Sequence, residues 1–164
     1  MTDPIALEAL RQRALPFVRS AEERQRWQEG FNGSSFTRQF GFRLEMSDSR
    51  LIAVHLDEIQ NFHRGGLGTA AVNGAILSAM FDIGLGVAGG QQYPTRPTGT
   101  IDLSIKLMKP TLGPSLCLYA WAVERRTNVV FVEAQMHDAT NGVSVMGQGL
   151  VGVSATLASN SRTA

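Results

Sequence analysis

One carboxylate closes a run dominated by apolar residues, Asn73-Gly74-Ala75-Ile76-Leu77-Ser78-Ala79-Met80-Phe81-Asp82. An ionised Asp buried in such a helix is costly unless something uses it or satisfies it. Capping does not account for it, because Asp82 lies more than two turns beyond Asn73, the residue placed to cap the helix start. Gly74 offers a backbone N–H at the positive end of the helix dipole. A helix start that polarises an oxygen, with a costly acid nearby, outlines a hydrolytic site.

The rest of the chain has to position these groups. Ile5, Leu7, Leu10, Leu15, Phe17 and Val18 supply apolar positions to a helical opening that Pro16 interrupts. Ser20 and Glu23 form a capping box, which predicts a second helix through Trp27 to about Gly30, and Asn32-Gly33-Ser34-Ser35 reads as a turn. A hairpin follows over 41–46 and 51–56, turning at Ser47-Asp48-Ser49. From Asp57 to Val72 no period holds, and Gly65, Gly66 and Gly68 argue for a loop. The helix from Asn73 ends between Gly86 and Gly90. Next comes the cleanest alternation, with Ile101, Leu103, Ile105 and Leu107 on one side and Thr100, Asp102, Ser104 and Lys106 on the other, stopped by Pro110. Strands over 116–126 and 129–138 flank a tight Thr127-Asn128 turn, and Thr140-Asn141-Gly142 turns into a last strand over 143–153. One hydrophobic helix among antiparallel strands must be wrapped by their sheet, giving an α+β domain around a central helix. Residues 1–40 form an N-terminal helical extension, 41–154 the domain and 155–164 a loose tail.

Composition narrows the function classes. A length of 164 residues suits one domain, and a net charge of +1 does not favour nucleic acid as a partner. The single cysteine, Cys117, cannot close an intramolecular disulfide and reads as a small buried hydrophobe in a strand. No Cys/His cluster has zinc spacing, so no metal and no cofactor is expected. No apolar run spans a bilayer and no secretory pattern opens the chain, so a cytoplasmic protein without a membrane partner is expected.

Two motifs stand in order: Asn73-Gly74-Ala75 with Asp82 nine positions after Asn73, and Thr100-Ile101-Asp102-Leu103 leading to Lys109-Pro110. In these, over about 42–153, the chain resembles the hot-dog-fold acyl-CoA thioesterases, in particular the phenylacetate-degradation group. That family starts its helix with His-Gly-Gly, follows with Asp, and carries Ser/Thr-x-Asp-Leu on the strand. The resemblance implies that Asp82 is the catalytic base or nucleophile and that the Gly74 N–H binds the thioester oxygen. It implies further that Thr100 supports the acid. Two departures stand out. Asn73 replaces the family His and cannot shuttle a proton near neutral pH, while Ala75 replaces the second glycine. The family Asn six positions before the helix start is Leu67 here, and Asn61 in the long loop is its candidate substitute.

His63-Arg64-Gly65-Gly66 imitates the family motif, but nine positions after His63 comes Val72, which is no acid. His63 therefore reads either as an exposed loop histidine or as a residue reaching a substrate pocket. For coenzyme A phosphates the candidate cations are Arg64, Arg125 and Arg126, with Lys106 and Lys109. Gly74 and Asp82 are separated by eight residues, roughly 12 Å of helix rise, so one chain cannot apply both to one carbonyl. Two antiparallel copies about a two-fold axis can, which predicts a homodimer or a dimer of dimers. Ala75, Ala79, Asp82 and Gly86 form a small-residue stripe, suited either to that approach or to packing on the sheet. The expected function is hydrolysis of a small, aromatic or medium-chain acyl-CoA. The alternatives are a non-catalytic acyl-CoA-binding protein, and a dehydratase or hydratase, which would need a His beside the Asp.

Overall fold

The computed structural model describes residues 4–65, 68–137 and 142–154. The expected turn at Thr140-Asn141-Gly142 falls largely outside these residues, as does the tail from 155. Three helices open the chain: α1 (Pro4–Arg13), α2 (Ala21–Gly33) and α3 (Ser35–Phe40). The capping box forms as expected, Glu23 N–H donating to Ser20 Oγ at 3.2 Å and Ser20 N–H to Glu23 Oε2 at 2.9 Å. Where a plain turn was expected, Ser34 caps α3, accepting from the Thr37 N–H. Gly41, at φ 68°, ends α3 in the left-handed region and releases the chain into the sheet.

Strands β1 (Phe42–Glu45) and β2 (Ile52–Leu56) pair antiparallel, followed by a 3-10 turn at Asn61–His63 and the long helix α4 (Gly74–Gly90). Then come β3 (Thr98–Leu107), β4 (Leu116–Arg125), β5 (Val129–His137) and β6 (Val143–Val153). All six strands make one antiparallel sheet in the order β1-β2-β4-β5-β6-β3, wrapped on α4. This is the α+β hot-dog architecture, its core built from Met80, Phe81 and Leu85 of the helix against Val54, Leu118, Ala120, Val132 and Val151.

Glycines set the helix-to-sheet distance. A Cβ on Gly84 would run into Leu118 and one on Gly147 into the Phe81 ring. On the opposite sheet face, Leu10 of α1 and Ala14 just after it lie over Leu51 and Trp121, with Arg13 stacked 5.5 Å from the Trp121 ring. The two sheet edges differ. Helix α2 covers β1: Asn32 Oδ1 accepts the Leu44 N–H, Asn32 Nδ2 donates to the Leu44 carbonyl, and Gln28 Oε1 accepts the Met46 N–H. The outer edge of β3 has no strand beside it among the described residues. None of the described helices is long and apolar enough to cross a membrane.

Candidate active site

The site begins at the helix start. Asn73 is extended (φ −64°, ψ 136°), and its Oδ1 accepts the Ala75 N–H at 2.9 Å. Its carbonyl takes the Ile76 and Leu77 N–H groups at 3.0 and 3.1 Å. As the first helical residue, Gly74 has no intrahelical acceptor for its N–H. Its own carbonyl accepts from Ser78 Oγ at 2.8 Å. Beside it stands Leu107, 60% exposed, whose Cδ1 would lie 3.8 Å from a Cβ on Gly74. The sequence placed Leu107 in a strand without linking it to the helix start, a link that only the pairing of β3 across the sheet creates.

Asp82 departs from the expected burial. Its side chain is exposed on the single chain, since α4 turns Ile76, Leu77, Met80, Phe81 and Leu85 to the core and leaves Asn73, Ala75, Ser78 and Asp82 outside. The half-exposed Ala79 continues the small-residue stripe outward, while Gly86 at its end lies against Thr100 of β3. The residues that fit α4 onto the sheet are Gly84 and Gly89 instead.

Strand β3 also departs from the alternation. The register with β6 shifts between Thr100 and Asp102, a bulge that leaves Ile101 without a ladder partner and 65% exposed. Beyond the bulge, Leu103 and Ile105 pack against the core. Thr100 lies on the helix side as well, its Oγ1 3.3 Å from where a Gly86 Cβ would be, one turn beyond Asp82. A strict alternation would have set Thr100 and Leu103 on opposite faces.

The described residues between 57 and 72 are tied to the body of the domain. Ile59 N–H donates to the Pro114 carbonyl, Gly65 N–H to Ala71, and Val72 N–H to Thr111, at 2.8, 2.7 and 3.0 Å. His63 is neither an exposed loop histidine nor open to a pocket. It is 1% exposed, with Nδ1 accepting the Gln60 N–H and Nε2 against the Phe40 carbonyl, both at 2.9 Å. The sequence hid this, because a histidine whose burial depends on a backbone group 23 residues away leaves no pattern of its own. Asn61 is exposed on the same turn, and the half-buried Arg64 donates to the Ala70 carbonyl at 2.7 Å.

Arg125 and Arg126 sit at the other end of α4. Arg125 donates to the Gln92 carbonyl at 3.3 Å, and Arg126 pairs with Glu124 while its carbonyl accepts from Tyr93 Oη at 2.6 Å. One chain thus gathers Asn61, Arg64, Asn73 and Gly74 at the N-terminal end of a helix about 25 Å long, Asp82 and Thr100 near its middle, and the arginine pair at its far end. Among the described residues no group of three or more His, Cys, Asp or Glu side chains is placed to hold a metal.

Residues 70–145 match the sequence model of the thioesterase superfamily. Over that stretch, a little under half of the chain, the sequence is similar to the thioesterase superfamily. No curated protein matches it in sequence. A Shewanella oneidensis protein related to the thioesterase superfamily superposes with a TM-score of 0.75 at 17% identity, over 82% of this chain and 97% of that one. The Escherichia coli PaaI protein from the phenylacetic acid degradation operon gives 0.71 at 11%, over 82% and 96%. A Bacillus halodurans protein solved with CoA gives 0.67 at 20%, over 82% and 88%. At these identities the structures share the hot-dog fold, and the superfamily match supports thioesterase activity in general.

Proposed function

We propose that the chain hydrolyses acyl-CoA thioesters as a two-fold dimer, with each site shared between subunits. The observation that carries this reading is the Gly74 N–H at the start of α4, which has no acceptor among the described residues, two turns before an exposed carboxylate on the same helix. Aligned antiparallel about a two-fold axis near Ser78, two such helices bring Gly74 of one chain to Asp82 of the other. The small outward stripe permits that approach, and the open β3 edge offers a second surface for it.

In the proposed reaction the thioester oxygen accepts from the Gly74 N–H, which holds the charge that develops there. Asp82 of the facing subunit takes a proton from water, the water oxygen bonds to the carbonyl carbon, and collapse of the adduct breaks the C–S bond. The thiolate leaves and takes up a proton. In the nucleophilic variant an Asp82 oxygen attacks instead, and water then opens the resulting anhydride. Thr100, one turn along, supports the carboxylate. The same two-fold axis brings the arginines beyond the C-terminal end of α4 towards the Asn61–Arg64 segment of the facing chain, so that Arg125, Arg126 and Arg64 flank the CoA phosphates. The CoA held by the Bacillus halodurans neighbour supports coenzyme A as carrier.

The test is Gly74→Pro. Proline is tolerated at the first helical position, and Asn73 already has the extended backbone that a following proline requires. The substitution removes the N–H and leaves the helix. With an acyl-CoA panel and thiol release as the assay, turnover should fall by about 10²–10³ with the melting transition retained. Unchanged turnover would sink the oxyanion assignment. A wild-type chain that binds these thioesters without releasing thiol would establish the binder in its place.

A further inference from the structure

We infer that His63 is a positioning residue for the helix start, tying the long loop to the body of the domain so that the Gly74 N–H is held in place; this rests on the proposed thioesterase reading. The imidazole is 1% exposed and spends both nitrogens on backbone. Nδ1 accepts the Gln60 N–H at 2.9 Å, so the ring proton is on Nε2, which donates to the Phe40 carbonyl at 2.9 Å. The first bond is local and closes the 3-10 turn. The second spans 23 residues and fastens that turn to the end of α3, just before β1.

What the ring fastens, its own backbone passes on. The His63 carbonyl accepts the Asn73 N–H at 2.8 Å, and Asn73 in turn holds the Ala75 N–H on its side chain. A continuous chain of hydrogen bonds therefore runs from Phe40 through His63 to Asn73, the residue immediately before the candidate oxyanion donor. The neighbouring bridge between Arg64 and Val72 and the Val72–Thr111 bond hold the same segment from its other side, but neither reaches the α3 end. Displacement of a preorganised donor by a fraction of an ångström weakens what it does in the transition state more than it weakens ground-state binding. His63 thus acts through Asn73 and does not touch substrate.

Three substitutions separate the two bonds. His63→Gln keeps a donor at the Nε2 position for Phe40, His63→Asn keeps only an acceptor at the Nδ1 position for Gln60, and His63→Phe fills the space and makes neither bond. Val130→Ala, in the buried core away from the helix start, serves as a variant of lowered melting temperature. The measurements are kcat and KM on the best acyl-CoA of the panel, and amide exchange at Asn73 to Ala75 in the full-length protein. His63→Phe and His63→Asn should lower kcat at least tenfold with KM within about twofold, and speed Asn73 exchange at least tenfold. His63→Gln should keep kcat within about threefold of wild type and Asn73 exchange unchanged, and Val130→Ala should leave both unchanged.

The inference is overturned if His63→Phe retains kcat, if Gln rescues no better than Asn, or if Val130→Ala reproduces the loss. Should wild type cleave no thioester, the functional reading fails on its own. Asn73 exchange then decides the tether alone: speeding in Phe and Asn but not in Gln upholds it, and uniform exchange overturns it.

Discussion

Asp82 is the residue on which hydrolysis turns. Asp82→Asn keeps the size of the side chain and most of its hydrogen bonding while removing the base, and the group is exposed on the single chain. Folding should therefore survive, while hydrolysis drops by about a hundredfold or more. Full activity in Asp82→Asn would remove the central acid from the mechanism. Thr100→Ala should cost less, because it deletes a support and not the reacting group. Cys117 belongs to a different class. Burial pushes its thiol up to about 11, so the reactive thiolate is scarce at neutral pH. At pH 8 the thiolate fraction is then about a hundredfold smaller in the native chain than in denaturant, so iodoacetamide should label native Cys117 much more slowly; equal labelling rates would contradict the burial of that thiol.

At the scale of elements, glycine substitutions separate helix propensity from packing. Gly30 in α2 has nothing within 4 Å of where an added methyl would sit, so Gly30→Ala should stabilise by up to about 1 kcal/mol. Gly89 in α4 faces Val151, whose Cβ would lie 2.5 Å from the new methyl. Gly89→Ala should destabilise by about 1–3 kcal/mol despite the same gain in propensity, as urea unfolding would register. Much of this architecture was legible in the sequence. The Ser20–Glu23 box, the Asn73 cap and the tight Thr127-Asn128 turn are local devices, and local devices write themselves into a few adjacent residues. The bulge at Ile101 was not legible, because Thr-Ile-Asp-Leu reads as unbroken alternation and only the ladder with β6 displaces one residue. The exposure of Asp82 was missed for a related reason: when both helix faces carry small or apolar residues, composition does not say which one meets the sheet. His63 was misread because its partners, Phe40 and Asn73, lie 23 and 10 positions away.

For the whole molecule, the asymmetry of the sheet edges sets the expected assembly. Asn32 and Gln28 occupy the edge of β1, so the open β3 edge and the outward face of α4 are the surfaces left for a second copy. A shared site makes a quantitative prediction for mixtures. Asp82→Asn homodimers lack the acid in both sites, and Gly74→Pro homodimers lack the donor in both. A hybrid of the two joins an intact Gly74 from one chain to an intact Asp82 from the other in one site, and collects both defects in the second. After subunit exchange at equal ratio, half the dimers are hybrids with one working site of two, so activity should return to about a quarter of wild type. A site contained within one chain would leave every mixture as inactive as its parents. Light scattering on the same samples supplies the control: a dimer whose mixtures stay dead would overturn the shared site while leaving the assembly standing, and a monomer at micromolar concentration would overturn both.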